Sequence, residues 1–168
     1  MPGPVWLQGP IDGVPPLLQP VAHALVEAEQ DIRALVSPLS MDAAWSRPNN
    51  AASVGFHVRH AIGSLDRLLT YARGEALSDA QLETLKAEKT MDRVATPSEL
   101  VAEFSQAIDR AVAQLRMTDE SDLLSHREVG RAKLPSNVIG LLVHAGDHTY
   151  RHVGQAITTA KIVTGAQP

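Results

Sequence analysis

Four long stretches of the chain place apolar residues three and four positions apart, the repeat of a helix that buries one stripe. In the first, Leu18, Val21, Leu25, Ala28, Ile32 and Leu35 keep that spacing and predict a helix from about Pro15 to Val36, stopped by Ser37-Pro38. After the turn-rich connection SRPNNAAS, the second runs through Val54, Val58, Ala61, Ile62, Leu65, Leu68, Leu69 and Ala72, with Gly74 as its C-cap. The third has the clearest start: Thr96 as N-cap, Pro97 at the first helical position and Glu99 three residues after the threonine form a capping box, and the helix should extend to about Met117. Pro135 is expected to open the fourth, which runs to about Val163 before Gly165. Between the second and third, SDAQLETLKAE predicts a short helix over Ser78 to Ala87. Helices with one apolar stripe each must bury those stripes against one another, so the expected fold class is all-α, a four-helix bundle.

Composition agrees. Aromatic residues are only 4% of the chain, and Ala, Leu and Val fill most apolar positions, which suits packed helices better than a sheet. A length of 168 residues predicts one domain over 1–168. Residues 1–14, rich in Pro and Gly, are expected to be an irregular arm, and the polar TDESDLLSHREVGRAK a loop or irregular turn. The net charge of −4 with no Lys/Arg run argues against nucleic acid as a partner. With no Cys, disulfides and thiolate ligands are excluded, and any metal must be held by N and O donors. The N-terminal MPGPVWLQGPIDGVPP has no basic region followed by an apolar stretch, and no apolar run reaches the roughly 18 residues of a bilayer span, so a cytoplasmic protein without membrane contact is expected.

The histidines carry the chemistry. Five of the seven fall in two helical clusters, His57 with His60, and His144 with His148 and His152. Residues four apart share a helix face with side chains roughly 6 Å apart, so His148 and His152 can grip one ion. A third imidazole has to come from another helix, which offers His60, or His57 one turn earlier. Three neutral imidazoles leave coordination positions open, as catalytic sites do. An HxxxH pair alone is a weak motif, and HTYRH lacks the glutamate of a zincin-type protease. His144 continues the stripe as an alternative ligand or a hydrogen-bonding neighbour. Asp66 and Asp147 are weaker candidates for orienting a ligand or acting as a base, because a carboxylate six residues or one residue away does not stack on the histidine face; Gln155, three residues after His152 on nearly the same face, is placed to hydrogen-bond near the metal or across helices. Gly63, Gly146 and Gly154 inside helices suggest close packing or room for substrate. His23 and His126 stand alone and are read as structural, and Tyr71 and Tyr150 as core-edge residues.

The stretch HAGDHTYRHVGQ, residues 144–155, resembles the signature of the DinB-like (YfiT-like) metalloprotein family, in which a late helix carries an HxxxH pair followed closely by Gly-Gln. FHVRHAIGSLDRLLTYARG, residues 56–74, is similar to the family's second helix, with its histidine near the helix start. The resemblance implies an up-down-down-up four-helix bundle with metal ligands at His60, His148 and His152, holding one divalent ion, with zinc or nickel expected. It also implies a homodimer and a small-molecule substrate, with chemistry of the thiol-dependent kind, in which a low-molecular-weight thiol attacks an electrophile or assists an isomerisation. It names no catalytic side chain here. A second ground for the dimer is the wide stripe Leu100, Val101, Phe104, Ala107, Ile108, Ala111, Val112 and Leu115 of the third helix, part of which is available to face a partner.

Overall fold

Five helices begin the same way. Ser40, Ser53, Ser78, Thr96 and Asn137 each turn a side-chain oxygen onto the backbone N–H three residues ahead, satisfying a donor that the helix itself cannot. They open α2 (Met41–Trp45), α3 (Val54–Ala72), α4 (Asp79–Ala87), α5 (Pro97–Met117) and α6 (Val138–Thr164). At Ser78 and Thr96 the reciprocal bond from Gln81 or Glu99 completes a capping box. The computed structural model describes residues 3–90 and 92–165, so the first two residues of the expected arm lie outside it.

The first long helix, α1 (Gln19–Val36), has no side-chain cap and is entered through a 3-10 turn over Pro16–Leu18. The sequence places its start at Pro15, but Pro15 and Pro16 have no N–H to give, and the chain tightens into an i+3 turn in which Leu18 N–H bonds Pro15 O at 2.9 Å. Gln19 ties the arm down through Ile11 N–H, Ile11 O and Val14 O. Val5 and Val14 are buried, whereas Trp6 is exposed.

Two further expectations need correction. The polar segment after α5 is not a plain loop: β1 (His126–Val129) and β2 (Leu134–Asn137) form an antiparallel hairpin, with His126 opposite Asn137 and Glu128 opposite Pro135. Pro135 therefore sits in a two-stranded edge, where its missing N–H is tolerated, and α6 starts three residues later behind the Asn137 cap. The short α2 was not anticipated; it carries Trp45 into the core, where the indole Nε1–H donates to Ala95 O at 2.8 Å. Gly165, at φ 66°, closes α6 in the left-handed region.

The four long helices form an all-α bundle ordered α1, α6, α3, α5 around the core, so the last helix of the chain lies between the first two long ones. The interior holds Leu18, Leu25, Ile32, Leu65, Leu100, Phe104, Ile108, Leu115 and Leu142, all essentially inaccessible. A Cβ on Gly146 would stand 3.3 Å from Val21, so that glycine marks close packing of α6 on α1. Every residue of the wide α5 stripe is buried within the chain's own bundle, and the stripe therefore provides no ground for a dimer. Among the described residues no helix is long and apolar enough to cross a membrane.

Candidate metal centre

The closest helix pair, α3 and α6, carries both histidine clusters. Their contact brings His60, His148 and His152 together so that one ring nitrogen from each lies within 4.8 Å of the others. The Nε2 atoms of His60 and His148 are 3.2 Å apart, and the rings of His60 and His152 lie 4.4 Å apart by centroid. All three side chains are half-buried, deep enough to be ordered and shallow enough for a small ligand to approach.

Two of the three rings also have partners outside the group. His60 Nδ1 lies 2.8 Å from Glu88 Oε2, and Glu88 Oε1 accepts from Arg67 Nη1 at 2.7 Å. His152 Nδ1 faces His57 Nδ1 at 3.1 Å. Phe56 stacks nearly parallel on the His60 ring, 5.7 Å away, and restricts its rotation.

Electrostatics favour free electron pairs on His57, His148 and His152. Burial, then repulsion from its histidine neighbours and Arg151, lowers the pKa of His152 to about 4. His148 is lowered by burial and by repulsion from His60 and His144, and His57 by burial and by His60. Burial acts to raise the Glu88 carboxyl, but the hydrogen bonds from His60 and Arg67 outweigh it and hold the group below its ordinary value. Neutral imidazoles are the form that binds a metal, and the donor set fits a divalent ion of the zinc, nickel, cobalt or copper kind.

The other sequence candidates lie elsewhere. His57 is buried and touches His152 but is not one of the three converging groups. His144 is half-exposed and turns its Nδ1 to Asp147 at 3.0 Å, while Asp147 also pairs with Arg151. Asp66 accepts from Gln81 Nε2 at 2.6 Å, tying α3 to α4, and Gln155 is exposed. A Cβ on Gly154 would meet nothing within 4 Å, so neither packing nor a neighbour explains that glycine. His23 holds the arm through Gly9 O at 3.0 Å, and His126 lies in β1. Tyr71 is half-buried against the core, and Tyr150 is exposed.

Glu88 and Arg67 were not singled out by the sequence. Arg67 follows His60 by seven residues, two helical turns on one face, and Gly63 lies between them. A Cβ on Gly63 would come within 2.8 Å of Glu88 Oε1 and 2.9 Å of Arg67 Nη1, so this glycine makes room for the ion pair. The glycine was the one local signal of that pair.

Comparison with known proteins bears on the fold and the family. No curated protein matches the chain. A solved structure described as a conserved protein from Enterococcus faecalis is 20% identical and superposes with a TM-score of 0.68, covering 89% of this chain and 98% of the other; at that identity it speaks for the fold. The sequence profile of the DinB superfamily matches residues 24–156, which include both histidine clusters, Glu88 and Arg67, and the chain belongs to that superfamily.

Proposed function

We propose that the protein is a divalent-metal-dependent enzyme in which His60, His148 and His152 hold one ion and a low-molecular-weight thiol reacts with an electrophilic small molecule. The observation that carries the reading is the convergence of three half-buried imidazoles from two helices. Three protein donors leave coordination positions for water or substrate. A bound ion of this class supplies Lewis acidity, which favours the thiolate of a thiol. Sulfur then bonds to the electrophilic carbon, the leaving group departs with its electron pair, and the thiol proton passes to solvent. The chain has no Cys, so the nucleophile must arrive with a cosubstrate. His57, Glu88 and Phe56 hold the rings in place, and the protein is expected to act as a homodimer, an expectation that rests on the family resemblance.

Elemental analysis of purified protein tests the metal: about one divalent ion per chain is expected, absent from His148→Ala and His152→Ala. Stoichiometric metal surviving both substitutions would reject the site. Turnover is tested by incubating metal-loaded protein with a panel of thiols and electrophiles. Product formation lost in His152→Ala supports the enzyme, and inactivity across the panel favours a bundle that binds metal without catalysis.

A further inference from the structure

We infer that Glu88 is a positioning residue: oriented by Arg67, it keeps the proton of His60 on Nδ1 and so presents the Nε2 electron pair to the metal. The inference rests on the metal reading above. Glu88 is 6% exposed and Arg67 8%, and the space they occupy exists because residue 63 has no side chain. A buried ion pair is a poor way to stabilise a bundle, since desolvating two charges offsets most of their attraction and an apolar pair of similar volume would do as well. The pair's geometry points instead at His60. An ionised carboxylate has no proton to give, so its 2.8 Å contact with Nδ1 requires the ring to donate there. The remaining nitrogen, Nε2, is the atom that lies 3.2 Å from His148 Nε2, where the three rings converge. Arg67 fixes which oxygen of Glu88 does this, since it occupies Oε1 and leaves Oε2 to the histidine.

A sharp consequence follows for Glu88→Gln. Arg67, a pure donor, would hold the amide carbonyl on its side, and the amide NH2 would then face His60 Nδ1. That nitrogen would have to accept, the ring proton would move to Nε2, and the metal would have to displace it. A pair that merely tied the segment after α4 to α3 would produce no such inversion.

The experiment uses the full chain with 15N-labelled histidine. NMR of metal-free protein reads the His60 tautomer, and chelator competition reads zinc affinity separately. The wild type is expected to show the Nδ1–H form, and Glu88→Gln the Nε2–H form with zinc bound about 10–100-fold more weakly. A wild-type ring protonated on Nε2, or a Glu88→Gln protein with unchanged tautomer and unchanged zinc affinity, would overturn the inference. If Glu88→Gln does not fold, Gly63→Ala keeps both charges while displacing them, and it should also weaken zinc; unaltered affinity there counts against the proposal. Wild-type protein that takes up no zinc would sink the metal reading alone, because the tautomer is read without metal.

Discussion

His57 and His152 meet through their Nδ1 atoms at 3.1 Å, so a residue outside the three-histidine group touches one of its rings and helps to orient it. His57→Ala is therefore expected to weaken zinc binding by about 10–100-fold, the usual effect of losing a ligand's hydrogen-bond partner, whereas His60→Ala should abolish it. Chelator competition separates the two. If His60→Ala kept tight binding and His57→Ala lost it, the two residues would have to exchange roles.

Acid should destabilise the metal-free chain. An unfolded histidine takes up its proton near 6.5, but folded His152 does so only near 4, and His57 and His148 are lowered too. Between those values the unfolded state binds more protons, so stability is full above 6.5 and falls as pH falls through the window. Glu88, a carboxyl lowered in the fold, acts in the same direction at the acid end. Urea midpoints of apoprotein should be level above 6.5 and decline below it; a midpoint that rises on acidification contradicts the assignment.

Two glycines should respond in opposite directions to alanine. A Cβ on Gly55 would lie 2.7–2.8 Å from the Trp45 indole, which is packed and hydrogen-bonded to Ala95, so Gly55→Ala should lose about 1–3 kcal/mol. At Gly154 the same methyl meets nothing, and the helix should gain about 1 kcal/mol. Denaturant unfolding followed by circular dichroism measures both, and equal effects would mean that the packing around Trp45 is not as described.

The α5 stripe discriminates core from interface. Ile108 is 1% exposed within a single chain, so Ile108→Ala should cost about 2–5 kcal/mol of stability and leave the sedimentation mass unchanged. A substitution that halves the mass while the chain stays folded would put the stripe between subunits.

The parts of the fold that could be read from the sequence are those decided locally. Thr96, Pro97 and Glu99 specify the start of α5 within four residues, and α5 begins there. His148 and His152 share a face by helical geometry alone, whatever lies across from them. Pro135 does not locate the start of α6, because proline serves a first helical turn and an edge strand equally well, and four-residue strands such as HREV carry no apolar run to reveal them. Glu88 was out of reach for a different reason. It stands 28 residues from His60, just after a short helix, and only the packing of that segment on α3 brings the two together.

The ring order of the helices has a consequence for synthesis. Because α6 lies between α1 and α3, a growing chain that has already made both must keep their facing stripes uncovered until α6 emerges. His60 precedes His148 by 88 residues, roughly 4–18 s of translation at ordinary bacterial to eukaryotic rates. Through that interval the nascent protein has one imidazole of the three, cannot retain an ion by chelation, and presents an open apolar seam. Metal loading therefore belongs after translation of α6, and the seam is where a chaperone would be needed first.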